Sequence, residues 1–293
     1  MRKKWNIWLE AITVTGLLAC MSGIAGAQSP QPAQGTQSQP PAQPSDKSKT
    51  PEVTPLTLDV PAPVNAEEDA AYKAFQAVIT DDAAKKIEVG EAFLLKYPES
   101  RYRSPVYGAL TYAYLQSGNT QKMQEYGEKE IALVPNDVSA LALLAQTLPR
   151  SLHGGASSPE NVQVLAKAEQ YSKQAIEITP TLPKPENMTE QAFASAKNQT
   201  LAMAHSGLGL VYVRRGKNAE AISELEQAVK IDPTPDPVNY YLLGMANKAT
   251  SHFDDAVAAF NKCAAMAGPM QGTCKAQSED AKKKSATELS APK

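Results

Sequence analysis

"SGLGLVYVRRGKNAEAISELEQAVKIDP" occupies residues 206–233, and "NYYLLGMANKATSHFDDAVAAFNKCAAM" occupies residues 239–266. Both run Leu-Gly, then Ala, then a bulky apolar residue: Leu208-Gly209, Ala221 and Leu225, followed by Leu243-Gly244, Ala256 and Phe260. The apolar spacing is helical. A glycine inside a helix costs stability unless a neighbour needs the room. Gly209 and Gly244 therefore predict points where one helix crosses another too closely for a side chain. Ala221 and Ala256 are the small residues of the facing helix, and Leu225 and Phe260 fill the gap that remains. Pro233 then ends the second helix, because proline has no N–H to donate.

Working outward, Pro98, Pro135, Pro180 and Pro233 each close an apolar-spaced run: "GEAFLLKYP", "GEKEIALVP", "SKQAIEITP" and "LEQAVKIDP". The first two prolines are 37 residues apart and the later gaps are 45 and 53, which predicts insertions into an internal repeat. Leu208-Gly209, Tyr212, Gly216, Ala221, Leu225, Ala228 and Pro233 resemble the signature of the tetratricopeptide repeat family. Tyr240, Leu243-Gly244, Ala256, Phe260 and a late Pro269 repeat it. Earlier units resemble it less. Tyr107, Leu110, Tyr114 and Gly118 fit, but Met123 and Gly127 replace the usual Ala and Phe. The unit from Val138 offers Leu141, Leu144 and Ala145, and its second helix waits behind "PRSLHGGASSPEN", residues 149–161. The first unit, Glu67 to Pro98, matches mainly through "FLLKYPESRY", which resembles the repeat domains of bacterial outer-membrane assembly lipoproteins. The resemblance spans residues 66–269. It implies an all-α solenoid of stacked antiparallel helix pairs that binds other proteins. The polar tail from Pro269 suits the solvating cap such stacks require. The residues around Ala192, Ala196 and Gln199 predict an N-terminal extension of the helix carrying Gly209, capped by Asn187 or Thr189.

Ahead of the repeats, Arg2, Lys3 and Lys4 precede a mostly apolar run to Ala27, the pattern of an export signal over residues 1–27. Cleavage after Ala27 competes with "LLAC", where Cys20 would be lipidated, and with an uncleaved anchor. Residues 28–64 are rich in Pro, Gln and Ser, too poor in apolar groups to offset their ordering entropy, and read as a disordered linker. Residues 65–293 then form the repeat domain with its cap. The whole chain carries 29 basic and 31 acidic residues; losing residues 1–27 leaves 26 against 30, a net charge of −4. No basic excess is present to attract nucleic acid or anionic lipid. Any membrane contact is expected through the N-terminus alone, with the periplasm or outer membrane as the address.

Chemistry-bearing constellations are sparse. No P-loop, dinucleotide fingerprint or Gly-x-Ser-x-Gly elbow occurs, and no His or Cys pair has ligand spacing. His153 in "LHGGA" could serve a hydrolase only with partners the chain lacks. His205 is expected to pack, and the acidic residues, Glu224 near Lys230 among them, to line solvated faces. No cofactor, no metal and no enzyme are expected. Cys263 and Cys274, eleven residues apart, are candidates for a disulfide across an antiparallel turn, the alternative being one buried and one free thiol.

What remains is the concave face, which the first helix of each pair lines in this family. The inward-facing candidates are Tyr112 and Gln116, then Leu210, Val213 and Arg214, then Tyr241, Met245 and Lys248. Aromatic, aliphatic and polar groups together suit an extended peptide or a helix in a groove. Leu210, Val213 and Met245 have packing between repeats as their competing role. Some family members clamp a terminal carboxylate with Lys and Asn, but Ser206 and Leu210 stand at those places here. The leading expectation is an exported scaffold for an unidentified protein or peptide. Its rival is a periplasmic receptor for a small molecule or glycan, closed by the insertion.

Overall fold

The computed structural model describes residues 65–153 and 155–289 of the 293-residue chain, so the expected signal, Cys20 and the linker lie outside the described residues. Within them the chain forms eleven α-helices and no strand. Pair one is α1 (Ala66–Ala77) with α2 (Ala83–Lys96), and pair two is α3 (Arg103–Gln116) with α4 (Thr120–Leu133). Pair three joins α5 (Val138–Thr147) to α6 (Pro159–Ile178), pair four α7 (Glu190–Arg214) to α8 (Asn218–Ile231), and pair five α9 (Pro237–Ala249) to α10 (Phe253–Ala265). Helix α11 (Gln271–Leu289) closes the stack on α10. This is the all-α helical-repeat architecture expected.

Local chemistry sets the boundaries. Asn65, Asp82, Asn119, Asp137, Ser158, Thr189 and Asp236 each accept a backbone N–H of the helix they precede. Thr189, rather than Asn187, caps the extended α7. Helices α2, α4 and α8 stop two residues before Pro98, Pro135 and Pro233. Pro180 behaves differently: the chain runs through it as a short 3-10 turn, Thr179–Thr181. The turns inside pairs two, four and five all need a left-handed residue, supplied by Gly118 (φ 75°), Gly216 (φ 73°) and Ser251 (φ 63°).

Glycine sets how closely the helices approach. A Cβ on Gly209 would lie 2.6 Å from Leu225 Cγ, and one on Gly244 2.6 Å from Phe260 Cε1. Phe260, Leu225, Ala221 and Ala256 are wholly buried, as the repeat phrase predicts. The same device joins α5 to α7, where a Cβ on Gly207 would meet the Ala145 carbonyl oxygen at 2.5 Å. An aromatic core fills the N-terminal pairs: Phe75, Phe93, Tyr114 and Tyr126 are buried with Leu110, Met123 and Leu144.

Candidate interaction surface

Of the residues expected along the inner face, α3 holds Tyr112 and Gln116, and both are exposed, Tyr112 at 37 %. Although more than a third of the residue is exposed, the protein around it withdraws enough water to push the Tyr112 phenol up, and the charge of Asp137 adds to this. On α7, Leu210 is buried, so packing is its role; Val213 is half-buried against the core of pairs four and five. Arg214, the last residue of α7, is half-buried, and burial lowers its pKa.

The α9 candidates do not form an open surface. Tyr241 and Met245 pack against Phe260 and Ala281, the Tyr241 and Phe260 rings centring 6.0 Å apart. Lys248 Nζ donates to Gln277 Oε1 and to Asp280 Oδ2 at 3.0 Å, both on α11, and its side chain is 15 % exposed. These three residues sit at i, i+4 and i+7, one stripe of a helix, and the cap occupies that stripe. Tyr241, Met245 and Lys248, expected on the open inner face, are therefore covered by the cap instead. Sequence spacing aims the stripe correctly, but only the fold of the tail shows what covers it.

Cys263 and Cys274 are disulfide-bonded, with Cα atoms 5.9 Å apart, and both are buried. The bond ties α10 to α11. Lys282 and Lys284 of the cap pair with Glu279 and Asp280 on its exposed side, a solvated face. Glu224 is not paired with Lys230 in the way its charge suggests; its Oε2 lies 2.7 Å from His205 Nδ1 across α7 and α8. Among the described residues no group of His, Cys, Asp and Glu is arranged to hold a metal ion, and no helix is long and apolar enough to cross a membrane.

Two features are not visible in the sequence. The first is a polar line across three first helices. Gln146 Nε2 on α5 donates to Ser206 Oγ on α7 at 3.4 Å, and Ser206 Oγ donates to Asn239 Oδ1 on α9 at 2.6 Å. Ser206 and Asn239 are almost fully buried, so these bonds specify register where apolar contact alone would let helices slide. In the sequence Ser206 stands out only as the wrong residue for a carboxylate clamp. The second is how the 149–161 insertion folds, its last three residues, from Pro159, already opening α6. Asn161 Nδ2 donates to the carbonyls of His153 and Gly155, at 3.0 and 2.9 Å, and folds the connection onto the start of α6. Arg150 reaches Asp236 at 3.1 Å, and Arg215 is paired with Glu169. Although burial works against it, hydrogen bonds from Lys173 and Arg215 hold the Glu169 carboxyl below its usual range. Ala156, Ser157, Val162, Leu165, Arg214 and Arg215 then line an open cleft of about 420 Å³.

A stack of antiparallel helix pairs closed by a further helix is a helical-repeat architecture. Two tetratricopeptide repeat family models match the chain, over residues 202–235 and 238–268, which are pairs four and five. Within residues 202–268 the chain thus matches tetratricopeptide repeats, whose general role is to hold protein partners and which are typically not catalytic. Solved structures of similar fold include a thermophilic TPR protein from Thermus thermophilus, 19 % identical, covering 73 % of this chain and 98 % of that one with a TM-score of 0.45. MamA from Desulfovibrio magneticus is 18 % identical, covering 68 % of this chain and 94 % of that one with a TM-score of 0.42. A comparison with curated proteins found no match.

Proposed function

We propose that the chain is an exported scaffold of the bacterial cell envelope that holds a segment of a partner protein along its concave face. The carrying observation is the stack of repeat pairs with polar and aromatic side chains, Tyr112 and Gln116, exposed on α3. Those two residues take over from the capped α9 stripe as the partner-binding groove; Arg214, at the end of α7, lines the insertion cleft instead. Export draws its support from the basic, apolar and small-residue order of residues 1–27 and from the Pro-rich linker. The Cys263–Cys274 bond suits an oxidising compartment. The membrane is reached only through the N-terminus, and nucleic acid is not a partner.

Cross-linking of the full chain in envelope fractions tests the groove. Tyr112→Ala with Gln116→Ala is expected to lower capture of a discrete partner about tenfold, as loss of exposed contact residues does. Capture that neither change touches would remove α3 from the site. Mass spectrometry of the mature N-terminus tests the address: a lipid-modified Cys20 fixes membrane attachment, a start at Gln28 gives a free periplasmic protein, and an intact Met1 on a cytoplasmic chain ends the export reading.

The rival reading, a small-ligand receptor using the insertion, has one observation in its favour: residues 156 and 157 wall a cleft with Arg214.

A further inference from the structure

Three arginines surround the folded insertion, and two have partners: Arg150 pairs with Asp236 and Arg215 with Glu169. Arg214 has no ion pair or hydrogen bond among the described residues, although it is half-buried. Withdrawing a guanidinium from water without an anion is unfavourable, and folds seldom keep such a group without a use. It lines the cleft together with the apolar Ala156, Val162 and Leu165 and the polar Ser157. Leu165 is buried, whereas Val162 is 50 % exposed, an apolar residue standing open at the cleft. The wall is built in advance. Asn161 clamps the His153 and Gly155 carbonyls, and Ser158 Oγ accepts the Asn161 N–H at 3.3 Å to cap α6. The start of α6 adds a partial positive charge nearby. Of the neighbouring acids, Glu169 is held by Arg215 and Lys173, and Glu160 is exposed on the first turn of α6.

We propose that this cleft binds an amphipathic carboxylate, its acid group on the Arg214 guanidinium and its apolar body against Ala156, Val162 and Leu165. A guanidinium meets a carboxylate through two parallel hydrogen bonds, which a neutral sugar cannot offer. About 420 Å³ accommodates a small acid or the last residue or two of a peptide. The site goes beyond the scaffold reading and does not depend on it: a cleft that ignores every acid leaves partner capture through Tyr112 and Gln116 untouched.

Ligand-observed NMR and calorimetry on the full chain test it with four probes: N-acetyl-leucine, N-acetyl-leucinamide, inorganic phosphate and the tripeptide Ala-Ala-Leu. The acid is expected to bind saturably and the amide about tenfold more weakly, the effect of losing one charge-assisted contact. Phosphate, which has no apolar body, is expected to bind more weakly than the acid. Arg214→Gln should weaken the acid about tenfold and leave the amide unchanged, while Arg214→Lys keeps part of the affinity. If Arg214→Gln does not fold, Val162→Glu places an anion at the exposed wall and is expected to weaken the acid by a similar factor. Tripeptide binding tighter than that of the acetylated acid identifies a peptide end as the source, and equal binding a free small acid; both support the carboxylate site. Equal affinity for acid and amide, phosphate binding as tight as the acid, or full acid binding in Arg214→Gln and Val162→Glu would overturn it.

Discussion

The first two helix pairs and the last two use the same steric device in opposite places. In pairs four and five the glycine lies on the first helix, at Gly209 and Gly244, and receives Leu225 or Phe260 from the second helix of its own pair. In pairs one and two it lies on the second helix, at Gly90 and Gly127. There Gly127 receives Leu144 from the first helix of the following pair at 3.0 Å, and Gly90 receives both Leu110 of the following pair at 2.8 Å and Phe75 of its own at 2.9 Å. Glycine thus tightens contact within a pair at Gly209 and Gly244, between pairs at Gly127, and in both ways at Gly90. The N-terminal pairs compensate with aromatic rings. Tyr72 stacks on Tyr102 with centroids 4.0 Å apart, and Tyr114 stacks on Tyr126 at 5.5 Å while both hydroxyls donate to Glu91. A weak resemblance to the repeat signature is therefore not weak packing; at Gly127 the small-to-large contact has moved across the pair boundary, and at Gly90 it is shared between both sides.

Truncating the large partners should break this comparison most severely. Phe260→Ala and Leu144→Ala are each expected to cost about 3–5 kcal/mol, since both side chains are wholly buried. Their signatures should differ. Hydrogen exchange of Phe260→Ala should show pair five and the cap opening together. Leu144→Ala should uncouple pairs one and two from the rest and split the denaturation curve, as nearest-neighbour stacking requires. One concerted transition in both would mean that the contrast has no energetic content. Next in size is the cap: replacing Cys263 and Cys274 by Ala should lower stability by about 2–4 kcal/mol. The same change should raise exchange in α11 alone, because the bond spans only eleven residues of sequence.

Gly244→Ala is expected to cost about 1–3 kcal/mol by overpacking. Phe260→Leu should relieve part of it, giving a coupling of about 1 kcal/mol in a double-mutant cycle. The matching cycle in the N-terminal half joins Gly127→Ala to Leu144→Val, residues of different pairs, and coupling of Gly127 to its own pair instead would refute the swap.

Smaller again is a cost peculiar to pair two. Glu130 stands five residues before its closing proline, where pair four has Ala228. It is 2 % exposed, accepts the Ser104 hydroxyl at 2.7 Å on one oxygen and leaves the other without a partner. Burial, with Asp137 adding to it against the Ser104 bond, pushes the Glu130 carboxyl up from 4.5 to about 6. A carboxyl whose folded pKa is raised binds more protons folded than unfolded, so its penalty is absent below about pH 4.5 and grows as pH rises to 6. Glu130→Gln should therefore stabilise the protein by about 1–2 kcal/mol at pH 7.5 and have little effect at pH 4.5, read by urea denaturation at both. Last comes Ser251, the side chain that holds the left-handed turn position where pairs two and four have Gly118 and Gly216. Ser251→Gly should add about 1 kcal/mol by relieving that conformation, visible as a raised Tm.

Much of this was legible in the residues. Gly209 and Gly244 announce close crossings because nothing else justifies glycine in a helix, and the prolines and polar caps mark the ends. The candidate surface was legible only in part. Tyr112 and Gln116 keep the exposure their positions imply, whereas Leu210 is buried and Tyr241, Met245 and Lys248 lie under α11. Helical spacing says which stripe a residue occupies but not which later segment settles on that stripe.

Local constraints are written where they act, so the amino-acid order alone determined the helices, their boundaries, the repeating pair and the two cysteines near enough to join. Contacts between segments far apart in the chain belong to the tertiary structure. It decided the Gln146–Ser206–Asn239 line, the pairing of Arg150 with Asp236, the cover over α9 and the unpartnered charge of Arg214. Each of these depends on the angle at which one pair stacks on the next, a property of many summed contacts that no single residue encodes.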